Sequence, residues 1–295
     1  MIGTPRIQPA NAGSARRHLT QRIGYATLVL ASLLVVVPIL FVIGSIVVRG
    51  LPAISLEFIF GFPRDGMKAG GIWPAIVGTL LLTFGTAVAA IPFGVGGAIY
   101  LAEYARDTAI TRAIRLAIVN LAGIPSVVYG LFGLGLFVLF LQFGTSIVAG
   151  ALTLAIMTLP IIISTSEEAL RAVPVEFRTV SASLGGTRWQ GIRQIILPQA
   201  TPGIITGIIL GLLRAGGETA PILFTVAAFY LPRLPQSPLD QTMALPYHLY
   251  VISTQVPGMP HAVQYGTALV LLVLVLSLNL VASLIRAYYR RRRQW

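Results

Sequence analysis

Six times along the chain charged residues all but vanish and apolar ones take their place, at about 23–48, 73–101, 114–141, 147–166, 202–230 and 265–285. A helix rises about 1.5 Å per residue and a bilayer core is about 30 Å thick, so each run is long enough to cross. The pattern predicts an all-α, polytopic membrane protein with about six transmembrane helices. Pro38, Pro92, Pro125, Pro160 and Pro221 fall inside these runs. Kinks are expected there, with the freed carbonyls re-satisfied by neighbouring helices or water. Residues 1–22 are polar and hold four arginines, Pro5, Pro9 and Gly13, and read as a mobile tail. The first run is too long for a signal-peptide core and no small-residue cleavage site follows it, so it is expected to stay as an anchor.

Composition agrees: 56% of the 295 residues are hydrophobic and 10% charged, against roughly 25% charged in soluble domains. The net charge of +12 would suit nucleic acid in a soluble chain, but here its placement reports orientation. Sixteen lysines and arginines lie in the tail, the 102–115 and 167–201 segments and the C-terminal end. Only Arg49, Arg64, Lys68 and Arg233 lie in the alternate connections, with Arg214 inside a run. By the positive-inside rule both termini are cytoplasmic, and the even number of crossings agrees. No cysteine is present, which excludes disulfides, thiolate metal sites and a cysteine nucleophile.

Several polar residues have ordinary readings. Glu167, Glu168 and Arg171 read as a solvated helix end in which i,i+4 and i,i+3 pairs can form, Glu103, Arg106 and Asp107 as a turn, and Arg290–Arg293 as a headgroup anchor. His248 and His261 read as surface residues without the carboxylates a metal site needs. The outer connections 49–72 and 231–264, rich in Gly, Pro and aromatics, are either re-entrant or partner-facing structure, or passive loops. There is no tandem repeat.

The fifth run carries the unusual chemistry. If it is one continuous helix, Gly207, Gly211, Arg214, Glu218, Pro221 and Thr225 share an arc of about 80°. A charge at the centre of a lipid-facing helix costs roughly 2.5–3.5 kcal/mol, so this stripe must face protein or an aqueous path. Two readings stand. Arg214 and Glu218 form an internal pair, with Gly203, Gly207 and Gly211 packing on a neighbour. Alternatively Arg214 offers a guanidinium fork to an oxyanion crossing the membrane while Glu218 holds it, with Thr219 and Thr225 alongside.

The segment 174–198 reads as a helical elbow. Phe177, Val180 and Leu184 recur at helical spacing, Gly185-Gly186 breaks the helix, and Thr187 caps a second short helix ending before Pro198. Such an elbow either lies on headgroups through Arg188 and Arg193 or docks in a groove on a soluble partner. The sole lysine, Lys68, stands between Met67 and Ala69, so the chain has no P-loop with which to hydrolyse ATP itself.

Gly185, nine residues, then Ile195-x-Leu197-Pro198 resembles the second half of the EAA loop of type I ABC importer permeases. Thr179-Val180-Ser181 stands where that loop usually has Glu and two small residues, and Glu176 lies one turn earlier. The stretches Gly71-Ile-Trp-Pro-Ala-Ile-Val-Gly-Thr-Leu80 and Arg214-Ala-Gly-Gly-Glu-Thr-Ala-Pro221 look like those of phosphate-importer permeases of the PstA type. The resemblance covers about residues 70–288 and implies a MetI-like fold. It divides the chain into a cytoplasmic tail (1–22), an N-terminal transmembrane helix (23–48) and an extracytoplasmic loop (49–72). A five-helix permease core (73–288) with a coupling loop (172–198) follows, then a basic C-terminus (289–295).

The resemblance implies a plasma-membrane subunit of a prokaryotic phosphate importer. Its partners would be a homologous PstC-like permease, two PstB-like ATP-binding subunits and an extracytoplasmic PstS-like phosphate-binding protein, with no nucleic acid. This chain would bind no cofactor, ATP and Mg being used by the ATPase. It carries a pathway role onto Arg214 and Glu218 and coupling onto Glu176, Phe177, Val180, Leu184, Gly185, Arg188, Leu197 and Pro198. A permease for sulfate or molybdate, or an ion-coupled secondary transporter using Glu218, are the alternatives.

Overall fold

The computed structural model describes residues 12–183 and 185–291. Among these, five helices are long and apolar enough to cross a bilayer, and a bent pair brings the number to six if the pair forms one span. Helix α1 (Ala12–Gly50) includes residues 12–22, which the sequence reading assigned to a mobile tail. The stretch 12–22 has no proline and continues straight into the apolar run, so the helix extends back through it. Residues 1–11 of the tail, and 292–295 of the basic C-terminus, lie outside the described residues.

Beyond a short turn come α2 (Leu56–Phe60) and a two-residue hairpin, β1 (Pro63–Arg64) with β2 (Ala69–Gly70), pairing Pro63 with Gly70 and Arg64 with Ala69. Helix α3 (Trp73–Ile99) is prolonged by a π-turn over Tyr100–Tyr104. The third apolar run is not a straight span. Helices α4 (Ala109–Ala122) and α5 (Ser126–Gly133), the latter continued by a π-helical stretch to Phe140, meet at 103° across Gly123-Ile124-Pro125. Pro125 has no N–H to continue the ladder, and the Tyr129 hydroxyl donates to the Leu121 carbonyl at 2.8 Å, satisfying an acceptor that the break exposes.

Helix α6 (Ile147–Arg171) forms the middle of the bundle. Its first N–H groups have no intrahelical partner. Ile147 and Val148 donate instead to the carbonyls of Asp240 and Pro238, at 2.9 and 3.1 Å. Helix α7 (Val175–Ser183) ends before the Gly185 turn, where φ is +72°, and α8 (Arg188–Gly191) begins on a Thr187 cap closed by Gln190. The expected stop before Pro198 does not occur. Helix α8 widens into a π-turn over Ile192–Ile196 and runs directly into α9 (Leu197–Gly217). A wider turn absorbs the N–H that Pro198 lacks, so the proline sits in the first turn of α9 rather than ending a helix.

The fifth crossing is therefore Arg188–Gly217 rather than 202–230. Helix α10 (Ala220–Thr225) is separate. After it the chain is extended, and Ala228 and Thr242 are bonded through backbone groups at 3.0 Å. Helix α11 (Leu245–Thr254) follows, and α12 (His261–Arg291) makes the last crossing.

The connections 49–72 and 231–264 are built into the core rather than passive. Phe58, Met67, Met243, Leu245, Val251, Ile252 and Met259 are all buried in one cluster with Ile72 and Ile76 of the α3 end. The Leu245 N–H donates to Thr79 Oγ1 at 2.8 Å, tying this connection to α3.

His248 belongs to the same packed element. It is 2% exposed, which corrects its reading as a surface residue, and among the described residues neither ring nitrogen has a hydrogen-bond partner. The whole first turn of α11, Leu245 to His248, is buried together with Val251 and Ile252, something hydropathy does not register for a short helix. Burial penalises the charged ring and lowers its pKa from 6.5 to about 4. Because the unfolded chain takes the proton first, stability is full above about pH 6.5 and falls as pH drops toward 4, by up to about 3 kcal/mol. Thermal unfolding in detergent across that window is expected to show this decline in the native protein and a flatter profile in His248→Leu. Equal slopes would mean that the ring is not buried neutral.

Candidate functional site

Helix α9 lies against α6 along a row of glycines. A Cβ at Gly203 would stand 2.4 Å from Cβ of Ala169, one at Gly207 2.9 Å from Cβ of Thr165, and one at Gly211 2.9 Å from Cγ1 of Ile162. Between membrane helices there is no hydrophobic drive, and close backbone approach through small residues supplies the packing energy instead. The row continues into buried Ala215, and Arg214 lies on its flank, half-buried.

Helix α9 stops at Gly217, and Glu218 is extended, with φ −75° and ψ 137°. The single stripe expected on a continuous helix is thus broken between Gly211 and Pro221. Glycines at 216 and 217, followed by Pro221 three positions past the break, make continued helix unfavourable. Arg214 Nε still reaches Glu218 Oε1, at 3.4 Å, with the two side chains 34% and 18% exposed. This contact is long and uses one edge nitrogen. Among the described residues neither terminal nitrogen of Arg214 has a hydrogen-bond partner. A planar guanidinium with both ends of its fork unengaged suits bidentate contact with an oxyanion.

Glu218 borders a cavity of about 10 Å³ that Thr79, Thr83, Gly216, Ala244 and Pro246 also line, room for roughly one water. Thr83 and Tyr129 escaped the sequence reading. Thr83 lines this cavity, and Tyr129 is buried within electrostatic reach of Arg214. Thr219 immediately precedes α10 and is half-buried. Thr225 does not share a face with Arg214: it is fully buried on α10 and donates to the Pro221 carbonyl at 2.9 Å.

The elbow residues divide into an exposed and an anchored set. Glu176 is exposed, as are Val175 and Trp189. Phe177 and Leu197 pack against buried Leu170, Val173, Ile192 and Ile196, and Pro198 is half-buried. Arg188 donates to the Glu103 carbonyl and its guanidinium carbon lies 5.1 Å from the Tyr104 ring centre. Gly185 supplies the positive-φ turn between α7 and α8. Val180 lies on α7 and Leu184 falls outside the described residues.

Two acids differ from their plain readings. Glu103 is 7% exposed and ion-paired with Arg178, and Glu167 is 8% exposed and bound by Arg115 at 2.8 Å and Arg171 at 2.9 Å. Neither belongs to a solvated turn or helix end. Arg178 and Arg115 come from positions 75 and 52 residues away in the chain, whereas Arg171 is the i,i+4 neighbour of Glu167, a pairing that helical spacing alone already offered.

Residues 90–295 match the family described as binding-protein-dependent transport system inner membrane component. The chain is 33% identical to the probable ABC transporter permease protein YqgI of Bacillus subtilis over 90% of this chain and 95% of that protein. It is also 33% identical to the phosphate transport system permease protein PstA 1 of Mycobacterium tuberculosis, over 95% of this chain and 91% of that one. In fold it is similar to a chain of the methionine ABC transporter MetNI in an inward-facing conformation, with TM-score 0.60 and 17% identity over 74% of this chain and 97% of that chain.

Proposed function

The chain belongs to the binding-protein-dependent transport system inner membrane components, and from that membership we propose that it is a permease subunit of an ATP-driven importer of inorganic phosphate. The observation that carries this reading is Arg214: a guanidinium inside the bundle, steadied by Glu218 through one nitrogen only, with its fork unengaged. A fixed, always-charged fork recognises a tetrahedral oxyanion in two places at once. The likeness to a phosphate permease over nearly the whole chain selects phosphate among oxyanions.

In this reading the chain lines half of a conduit, and a second, homologous permease supplies the other half. Two ATP-binding subunits dock on the exposed surface of α7 and α8, and an extracytoplasmic binding protein delivers phosphate. ATP and Mg act on those partners, since this chain has no P-loop. The arginine-rich ends, α7 and α8 face the cytoplasm, as the distribution of basic residues supports. Movement of α8, which is continuous with α9, displaces Arg214 and opens the path alternately to each side.

The test is transport by the intact assembly. The chain is purified in mild detergent with the proteins that accompany it and reconstituted in vesicles. Entry of labelled phosphate is then followed with the binding protein supplied. Uptake is expected to require ATP on the α7–α8 side, to survive an uncoupler, and to be outcompeted by unlabelled phosphate but not sulfate or molybdate. Collapse with the uncoupler would point to a secondary transporter, and competition by sulfate to another oxyanion.

A further inference from the structure

The end of the bundle beside α7 and α8 carries buried charges that the conduit does not use. Glu103 closes the π-turn that finishes α3, and its carboxylate is ion-paired with Arg178 of α7. The same Arg178 donates through Nη2 to the Leu170 carbonyl of α6 at 2.8 Å. Arg188, the first residue of α8, donates to the main-chain carbonyl of Glu103. The two halves of the elbow, on either side of the positive-φ Gly185 turn, are thus both fastened to Glu103. A second cluster braces the same end: Arg115 of α4 binds Glu167 of α6 at 2.8 Å and the Leu101 carbonyl at 2.9 Å.

Burying a carboxylate with its partner gains little stability over an apolar pair of the same volume. What an ion pair supplies instead is fixed geometry between elements that are otherwise free to slide. Here the elements matter. Helix α8 is covalently continuous with α9, which bears Arg214, whereas α3 bears Thr79 and Thr83, which line the Glu218 cavity. Without a fastening at Glu103, a push on the elbow would move α9 alone and shear it past α3. Arg178 also stands beside Thr179, the position at which the EAA-type loop usually carries an acid.

We propose that Glu103 is a positioning residue for transport: its carboxylate, held by Arg178, and its carbonyl, held by Arg188, fasten the coupling elbow to α3, so that displacement of the elbow by an ATP-binding partner moves α3 and α9 as one body. This rests on the docking role given to α7 and α8 above. Rigid helices carry such a displacement along their length, and the fastening decides which helices receive it.

The quantity to read is ATP hydrolysed per phosphate imported by the reconstituted complex, alongside the amount of complex that assembles. Glu103→Gln and Arg178→Met are each expected to assemble and to raise that ratio by roughly fivefold or more, the scale of coupling between contacting residues. The double variant is expected to be no worse than the poorer single one, because both changes break one link. If Glu103→Gln does not assemble, Glu103→Asp, which keeps the charge and shortens its reach, takes its place with the same expected rise. Wild-type ratios in the assembled variants, or effects that multiply in the double variant, overturn the proposal. Should the unaltered complex show no ATP-dependent import, the docking reading itself fails, an outcome distinct from wild-type coupling in the variants.

Discussion

Replacing Arg214 by alanine is expected to reduce phosphate import to background while the complex still assembles in normal amount. The side chain is held to its surroundings by one long contact to Glu218, at 3.4 Å, so little of the fold depends on it. Packing of α9 on α6 is carried by Gly203, Gly207 and Gly211, which the substitution leaves alone. What is lost is a pair of charge-assisted hydrogen bonds to the crossing anion, each worth about 1.5–3 kcal/mol. At about 1.4 kcal/mol per factor of ten, losing both lowers the rate by roughly 100-fold or more. Arg214→Lys keeps the charge but not the planar fork and is expected to retain about a tenth of the rate. Labelled-phosphate uptake, normalised to the amount of assembled complex, measures both. Import by Arg214→Ala at the native rate would remove this side chain from the conduit.

Gly78→Ala is expected to be strongly destabilising, its added Cβ making the closest approach among the described glycines. An added Cβ would stand 1.9 Å from the Met243 carbonyl oxygen and 2.3 Å from Thr242 Oγ1. Neither neighbour is the free end of a flexible side chain: the 242–245 backbone is pinned by the bond from Leu245 N–H to Thr79 Oγ1 and by the bonded pair of Thr242 and Ala228. Relieving the clash means lifting this segment off α3, which breaks the Leu245 bond and uncovers the buried cluster around Met243 and Leu245. Overpacking of this kind costs about 1–3 kcal/mol, and a stranded buried N–H about 1–3 kcal/mol more. Gly96→Ala on the same helix meets nothing within 4 Å and is expected to be neutral or slightly stabilising, by up to about 1 kcal/mol. Thermal unfolding of the two variants in detergent separates them. Similar midpoints would show that α3 does not meet the 242–245 segment so closely.

These two residues also mark how differently parts of the molecule were legible. Arg214 was conspicuous in the sequence because an ionised group among aliphatic neighbours has an energetic cost wherever the helix points. Gly78 sits in a stretch noticed only for its family likeness, and nothing local reveals that a distant backbone crosses it. The crossings, too, were readable to within several residues where hydropathy alone decides them, as for α3, α6 and α12. The reading failed where geometry decides: the 103° bend at Pro125, the passage of α8 through a π-turn into α9, and the break at Glu218.

The pattern of charge and hydrocarbon along the chain therefore determined the class of solvent, the number of crossings and the presence of one costly ionic pair, because transfer free energies are properties of single residues and short windows. Only the tertiary structure decided that Glu103, Glu167 and His248 are buried, and that Thr225 lies on a helix separate from the one that bears Arg214. It also set which helices the elbow grips. The arginines that hold Glu103 lie 75 and 85 positions away, and Glu167 is held by Arg115 from 52 positions away as well as by its i,i+4 neighbour Arg171, and a carboxylate or an imidazole looks the same in sequence whether water or another helix covers it.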